Sequence, residues 1–218
     1  MRVVLTGTER LSAPLAADLA ALGLEVVTCP LVAVEVLVGP PLRADRYDWL
    51  LLTSRNGVDA LFPRLEGPLP RVAAVGRGTA EALRARGVEP ALVAAVSTQE
   101  GLAAELPRPA GRVLFAGAED ARDVLVRELG ADFVALYRTV ELRPESFPEA
   151  DLAVLASASA ARSLASLGPT PACVSIGPVT TAAARARGLQ VVAEAATHDR
   201  EGLVEAVKLV AFPPASPS

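Results

Sequence analysis

The sequence contains almost no lysine, histidine, asparagine, glutamine, cysteine or methionine. Lysine occurs only at Lys208, histidine only at His198 and asparagine only at Asn56, while the other 20 basic residues are arginine. A shortage of thermolabile residues is typical of a thermophile. An alanine-, arginine- and proline-rich genome would produce the same composition, so both explanations stay open.

Several classes of site and of location have no support in the sequence. Cys29 and Cys173 both lie in apolar runs, so each is predicted to be a small buried hydrophobe rather than half of a disulfide or metal pair. Neither a metal-ligand cluster nor a Walker-type phosphate loop occurs, so no metal or nucleotide cofactor is expected. The chain also lacks a signal peptide, an apolar run of about 18 residues and a basic footprint for nucleic acid. A cytoplasmic protein with neither membrane nor nucleic-acid partners is predicted.

The chain repeats itself. The segment AVGRGTAEALRARGVE (74–89) returns 101 residues later as SIGPVTTAAARARGLQ (175–190). In the same way LLLTSRNGVDAL (50–61) returns as AVLASASAARSL (153–164). The first strand-like segment, RVVLTGTER, returns as RVLFAGAED at 112–120. Two copies of one unit predict two similar lobes, and ligand sites favour the cleft between such lobes.

Short apolar runs alternate with helical patterns along the whole chain. The runs are continuous rather than alternating, which is typical of strands buried on both faces. The pattern therefore predicts an α/β fold with parallel sheets flanked by helices. Ser12 is predicted to cap the first helix, and Ser97 to open a capping box with Glu100. Residues 211–218 are interpreted as a loose tail.

Two glycine junctions are the strongest local signal. Gly76 and Gly177 each follow an apolar run and precede a helix, with Thr79 and Thr180 three residues on. A helix N-terminus offers free N–H groups and a positive dipole end to a carboxylate or phosphate. One such junction alone would be an ordinary capped turn, whereas two matched junctions favour a ligand role. Glu81 stands where a dinucleotide fingerprint needs its third glycine, so that motif is absent.

A second pair of junctions supplies small polar groups. Ser54 and Asn56 follow one apolar run, and Ser157 and Ser159 follow its repeat. These residues suit ligand binding, with simple helix capping as the equal alternative. A serine hydrolase is disfavoured because neither serine lies in a G-x-S-x-G turn and the one histidine, His198, is predicted to be a solvated loop residue.

Arginine and tyrosine complete the candidates. Six arginines lie just after strands or near two irregular extended segments, 30–43 and 136–149, and two or three of them are expected to bind carboxylates. They are Arg10, Arg55, Arg77, Arg122, Arg138 and Arg162. Tyr137 lies in the second irregular segment, where its phenol could either pack in a hinge or face a cleft.

These residues resemble those of the uroporphyrinogen-III synthase family over nearly the full length of the chain. The resemblance is carried by LLLTSRNGV (50–58), AVGRGTAEAL (74–83), STQEGL (97–102), VALYRTV (134–140) and IGPVTTAAARARGL (176–189). It implies two flavodoxin-like α/β lobes joined by a two-strand β hinge. Lobe 1 would contain residues 1–33 and 143–218, lobe 2 residues 37–136, and the hinge strands residues 34–36 and 137–142.

The resemblance also implies a reaction. The substrate would be hydroxymethylbilane, a linear tetrapyrrole with eight carboxylates, which the enzyme closes with loss of water and inversion of ring D through a spiro intermediate. No cofactor or metal would be needed, and the product would lead to haem, sirohaem and cobalamin. The chain would act as a monomer, with at most transient contact with the preceding enzyme of the pathway.

Site residues follow from the same motifs. Tyr137 matches the family tyrosine that assists loss of the hydroxyl group, as an aid rather than an essential acid. Substrate-binding positions carry over to Ser54, Asn56, Gly76, Thr79, Arg122, Ser157, Ser159, Gly177 and Thr180. Whether Thr180 or Thr181 faces the site stays open. The alternative function is a non-catalytic two-lobe protein that binds or senses an anionic metabolite.

Overall fold

Residues 1–213 are described by a computed structural model, in which the chain forms two compact units. Unit 1 combines Met1–Ala33 with the chain from Thr139 onward, and unit 2 is Val34–Arg138. The tail predicted at 211–218 falls, from residue 214 on, outside the described residues.

The elements alternate between strand and helix for most of the chain. In chain order they are β1 (Arg2–Leu5), α1 (Glu9–Ala21), β2 (Glu25–Thr28), β3 (Val32–Val36), β4 (Leu42–Arg43), β5 (Trp49–Leu52), α2 (Arg55–Leu61), a 3₁₀ turn (Phe62–Arg64), β6 (Leu65–Glu66), β7 (Arg71–Ala74), α3 (Arg77–Arg84), β8 (Leu92–Val93), α4 (Gln99–Glu105), β9 (Val113–Ala118), α5 (Val124–Leu129), β10 (Asp132–Glu141), β11 (Leu152–Leu155), α6 (Ala158–Ala165), β12 (Ala172–Ser175), α7 (Pro178–Arg185), β13 (Val191–Glu194) and α8 (Arg200–Ala211). The predicted α/β class, with parallel sheets flanked by helices, is confirmed.

Unit 1 is built on a parallel sheet with the strand order β13-β12-β11-β1-β2. Its strands are apolar throughout because helices cover both faces. Val3 and Leu5 of β1 pack in a cluster with side chains of α1 and α8, such as Leu19 and Leu203. Val4 points to the opposite face, where α6 and α7 supply its neighbours.

Unit 2 follows the same plan. Its main sheet has the order β3-β10-β9-β5-β7-β8, in which the strands from β10 to β8 pair in parallel. Leu50 and Leu52 of β5 pack with side chains of α2 and α3, and Leu51 packs on the other face with side chains of α4 and α5. A small separate ladder joins β4 to β6.

The two sheets have one strand order when their strands are matched through the sequence repeat. Strands β8, β7, β5, β9 and β10 of unit 2 correspond in place to β13, β12, β11, β1 and β2 of unit 1. Each unit therefore takes a strand–helix–strand piece from one copy of the repeat and the remaining strands from the other copy. The repeat in the sequence and the units in the structure are out of phase.

The chain passes between the units at β3 and β10, which are neighbours in one sheet. The Leu37 amide donates to the Leu136 carbonyl (2.9 Å), and the Leu142 amide donates to the Leu31 carbonyl (2.8 Å). Both strands are longer than the hinge segments predicted at 34–36 and 137–142. Tyr137 consequently lies in the middle of β10.

Two predicted helix caps are wrong. The first helix begins at Glu9 after Thr8, while Ser12 lies inside it and donates its hydroxyl to the Gly7 carbonyl (3.3 Å). The cap of α4 is Thr98 rather than Ser97, because the Thr98 hydroxyl accepts the Gly101 amide at 3.0 Å. In both cases several polar residues stand close together, and the pattern alone does not say which of them has non-helical backbone angles.

Candidate active site

Four neighbouring parallel strands of unit 2 bring polar residues to one sheet edge. Ser54 follows β5, Gly76 follows β7 and Arg122 follows β9, while Tyr137 lies on β10 opposite Ala118, the last residue of β9. The carboxyl ends of parallel strands share an edge, and ligands of open α/β sheets bind there.

Ser54 and Tyr137 form a hydroxyl pair at this edge. Their hydroxyl oxygens are 2.8 Å apart, and Ser54 also accepts the Gly57 amide at 2.9 Å as the N-cap of α2. A register shift in the β9–β10 ladder between Ala135 and Tyr137 marks a bulge, a feature that re-aims side chains. The sequence separation of Ser54 and Tyr137 is 83 residues, so only the sheet order brings them together.

Tyr137 is a buried phenol, with only 7% of the residue exposed. Burial raises its pKa above 10, and the Asp120 charge acts in the same direction, while the hydrogen bond with Ser54 acts against it. The phenol is therefore firmly protonated at neutral pH. Ser54 is the neighbour able to stabilise negative charge on its oxygen.

The β7–α3 junction has the predicted glycine and threonine. Gly76 is the N-cap of α3, and a Cβ atom at this position would collide with the Ser97 side chain. Thr79 is buried, and its hydroxyl takes part in none of the hydrogen bonds found within residues 1–213. Asn56 is half-buried in the first turn of α2.

Unit 1 carries the matching set. Ser157 caps α6 by accepting the Ala160 amide (3.1 Å), and Ser159 accepts a hydrogen bond from Arg162 (2.7 Å). Gly177 is the N-cap of α7, and the exposed His198 ring lies so close that a Cβ atom on this glycine would be 2.6 Å from it. The predicted site residues of unit 1 thus lie at the ends of the neighbouring strands β11 and β12.

Thr180 and Thr181 are both buried but differ in their partners. The Thr181 hydroxyl donates to Glu194 and contacts the Ser175 hydroxyl at 2.5 Å. The Thr180 hydroxyl has no hydrogen bond among the described residues. The threonine with a free hydroxyl is therefore Thr180.

Glutamates hold five of the arginines that the sequence singled out. Arg55 and Arg77 both contact Glu81, at 2.6 Å and 3.8 Å, and Arg122 forms a two-pronged pair with Glu100. The remaining pairs are Arg138 with Glu35 and Arg162 with Glu141. The Arg122 guanidinium keeps the pKa of Glu100 below its usual range. Sequence analysis did not find these partners, although the opposite charges of Arg77 and Glu81 four residues apart on one helix are a readable signal.

Residues 1–213 contain neither a metal-ligand cluster nor a membrane-spanning helix. They contain no group of three or more His, Cys, Asp and Glu side chains arranged to hold a metal ion. They also contain no helix of the length and apolarity needed to cross a membrane.

Comparison with known proteins agrees with this architecture. Residues 13–205 match the family model described as "Uroporphyrinogen-III synthase HemD". The chain belongs to the uroporphyrinogen-III synthase family. The resemblance predicted from its motifs is thereby confirmed.

This synthase-family chain is also similar to an archaeal protein. A protein of Methanocaldococcus jannaschii named "Putative uroporphyrinogen-III synthase" is 26% identical over 159 residues, which are 68% of this chain and 65% of that protein. Thus the match spans about two thirds of the archaeal relative.

Solved structures share the fold. A uroporphyrinogen-III synthetase of Helicobacter pylori matches with a TM-score of 0.72 and 17% identity, covering 96% of this chain and 100% of that one. A mutant uroporphyrinogen III synthase of Thermus thermophilus matches with a TM-score of 0.65 and 20% identity, covering 98% of this chain and 100% of that one. At such identities the likeness concerns the fold.

Proposed function

We propose that this chain is a uroporphyrinogen-III synthase that closes hydroxymethylbilane with loss of water and inversion of ring D. The observation that carries the proposal is the Ser54–Tyr137 hydroxyl pair at the carboxyl edge of the unit 2 sheet. Membership of the family supports the same reaction. The product would enter the synthesis of haem, sirohaem and cobalamin.

Tyr137 acts as the general acid. Its phenol gives its proton to the terminal hydroxyl of the bilane, the C–O bond breaks, and the oxygen leaves as water with both bonding electrons. The adjacent pyrrole nitrogen supplies electron density to the methylene carbon left behind, which ring D then attacks through its substituted carbon. Rearrangement of the spiro intermediate and loss of a ring proton complete the macrocycle and return a proton to the phenolate.

Ser54 assists this step through the hydrogen bonds that it accepts and donates. The Gly57 amide already donates to the Ser54 oxygen, so the serine proton is available to Tyr137. When Ser54 donates, the phenol proton of Tyr137 is left for the substrate, and the developing phenolate has a donor at 2.8 Å. This contact offsets part of the rise in the Tyr137 pKa caused by burial.

The substrate carboxylates bind at helix N-termini and hydroxyls. In unit 2 we assign this role to Gly76, Thr79, Asn56 and Arg122. In unit 1 we assign it to Ser157, Ser159, Gly177 and Thr180. Free N–H groups and the helix dipole stabilise an anion at such positions, and the unbonded Thr79 and Thr180 hydroxyls can donate to a carboxylate.

In the arginine–glutamate pairs, the glutamate carboxylate occupies the place that a substrate carboxylate would take on binding. Exposed ion pairs contribute about 0 to 1 kcal/mol, so a substrate carboxylate can displace Glu100 from Arg122 at little cost. The reaction itself uses positioning and proton transfer, for which the chain needs no cofactor. We further propose that the protein works in the cytoplasm as a monomer and receives its substrate by transient contact with the preceding enzyme.

A coupled assay tests the proposal. Hydroxymethylbilane is generated in situ, purified protein is added, and the type I and type III isomers are separated after oxidation. We expect predominantly type III product, whereas the bilane alone closes mainly to type I. Unchanged type I product from folded protein would contradict the synthase function and favour a protein that only binds an anionic metabolite.

A further inference from the structure

Unit 1 contains a hydrogen-bonded chain of three side chains behind the first turn of α7. Thr181 of α7 donates its hydroxyl to the carboxylate of Glu194 on β13, and its oxygen contacts the hydroxyl of Ser175 on β12. Because Thr181 gives its one proton to Glu194, Ser175 must donate to Thr181. The chain therefore runs in one direction, from Ser175 through Thr181 to Glu194.

Unit 2 has the same strand pairing at this point without this chain. Ser175 and Glu194 are partners in the β12–β13 ladder, and Ala74 and Val93 are partners in the β7–β8 ladder, 101 residues earlier. The residue that corresponds to Thr181 is Ala80. All three polar positions of unit 1 are thus apolar in unit 2, so the fold does not require them.

The location of the chain suggests what it does. Ser175 is fully buried and Thr181 is 5% exposed, so the hydrogen bond between them lies in a protected setting, where it is strong and directional. Glu194 is exposed, so the bond from Thr181 to its carboxylate is only partly shielded from solvent. Together the two bonds tie the first helical turn to two strands. The Thr181 amide donates to the Gly177 carbonyl (3.0 Å) as the Ala80 amide does to the Gly76 carbonyl in unit 2 (3.1 Å), so only the side-chain bonds distinguish the two junctions.

We propose that the Ser175–Thr181–Glu194 chain is a positioning device that fixes the first turn of α7 and, with it, the hydroxyl of Thr180. This inference rests on the proposed function, in which Thr180 binds a substrate carboxylate. Thr181 does not touch substrate, and it acts through its neighbour. The polar chain makes the unit 1 subsite more rigid than its unit 2 counterpart at Thr79.

A double-mutant cycle tests this coupling. We expect Thr181→Ala to lower kcat/KM for type III product by roughly tenfold, since small misplacements of binding groups can cost up to about 100-fold. Thr180→Ala should lower it by at least as much. In the Thr180→Ala background the added Thr181→Ala change should have little further effect, because the group it positions is gone. Thr181→Ser should restore most of the activity.

A matched control removes a different buried hydroxyl of unit 1. Ser163 is 1% exposed and donates to the Leu142 carbonyl (2.8 Å), so its hydroxyl takes no part in the Ser175–Thr181–Glu194 chain. Ser163→Ala should reduce thermal stability as Thr181→Ala does, but it should not couple to Thr180→Ala. The inference would be overturned if the losses of kcat/KM in Thr181→Ala and Thr180→Ala multiplied in the double variant. It would also be overturned if Ser163→Ala lost as much activity as Thr181→Ala.

Amide hydrogen exchange separates this inference from the proposed function. Thr181→Ala should accelerate exchange of the first hydrogen-bonded amides of α7, from residue 181 onward, and leave α3 unchanged, whether or not the protein makes type III product. Glu194→Gln keeps an acceptor oxygen and should preserve protection, whereas Glu194→Ala should not. Unchanged exchange in α7 would overturn the positioning role, and absence of type III product from the wild-type protein would overturn only the synthase role.

Discussion

The β7–α3 and β12–α7 junctions come from one repeated sequence but place their polar groups differently. In unit 1 the polar groups lie behind the helix, where Ser175, Thr181 and Glu194 form a hydrogen-bonded chain. In unit 2 those positions are apolar, and its sheet edge carries instead the Ser54–Tyr137 hydroxyl pair, which unit 1 lacks because both tyrosines lie in unit 2. The two copies of a duplicated unit can therefore keep one fold while one copy gains side chains that anchor a helix and the other gains side chains suited to proton transfer.

The charged residues differ in the same way. Arg55 and Arg77 of unit 2 correspond to Ala158 and Pro178 of unit 1 in the aligned repeats, and both tyrosines of the sequence lie in unit 2. Cations and the phenol are concentrated at one sheet edge. The other edge offers hydroxyls and helix N-termini, so the two units should contribute unequally to the proposed reaction.

The largest expected effect is the loss of the phenol that only unit 2 possesses. Tyr137→Phe should lower kcat by about 100-fold, at the lower end for a general acid, because the bilane also closes without help. The rate of wild-type protein should fall only as pH rises above 10, since burial raises the pKa of Tyr137.

Tyr47 provides the matched control for this variant. It is the other tyrosine, and its hydroxyl donates to Asp132 at 2.9 Å in the same unit. Tyr47→Phe should leave kcat close to that of the wild type. Equal losses of kcat in the two variants would remove the special role of Tyr137.

A second prediction compares the cores. Burial raises the pKa of Cys173 to about 11, while the equivalent position of unit 2 is Val72. The thiol ionises more readily in the unfolded chain, so the native protein loses stability as pH rises from about 9 to 11. Cys173→Val should abolish roughly 2 kcal/mol of this loss. Urea unfolding of both proteins at pH 8 and pH 11 measures this loss. An equal loss of unfolding free energy in the wild type and in Cys173→Val would contradict the prediction.

A third prediction transfers the polar chain from unit 1 to unit 2. Ala80→Thr should lower the free energy of unfolding by about 1 to 2 kcal/mol, because its hydroxyl would be buried between Ala74 and Val93 without a partner. Adding Ala74→Ser and Val93→Glu should recover part of the loss. Urea denaturation of the single and triple variants measures both steps. If the triple variant were less stable than the single one, the junctions would differ in backbone as well as in side chains.

The smallest effects concern the two serine caps. Ser54→Ala and Ser157→Ala should each lower the free energy of unfolding by about 1 kcal/mol, because each removes one N-cap hydrogen bond. Only Ser54→Ala should also lower kcat, because only Ser54 contacts a phenol. An equal fall in kcat for both variants would contradict the assistance that Ser54 is proposed to give to Tyr137.

The α/β class and the equivalence of the two glycine junctions could be predicted from sequence, because hydrophobic periodicity and the repeat are local or linear signals. The Ser54–Tyr137 contact could not, since it depends on β9 separating β5 from β10 in the sheet. The Ser175–Thr181–Glu194 chain was missed for another reason. Repeats draw attention to positions where the copies agree, whereas this chain lies where they differ in polarity.

The out-of-phase arrangement of repeat and units has a consequence for synthesis on the ribosome. Unit 2 is continuous in the chain and can close as soon as its last strand emerges, whereas β1, which lies between β11 and β2 in the unit 1 sheet, must wait for β11. At about 5 to 20 residues per second, this delay amounts to roughly 7 to 30 seconds. During that time the apolar faces of β1 and α1 lack their final neighbours, so the N-terminal segment is the part of the nascent protein most in need of a chaperone.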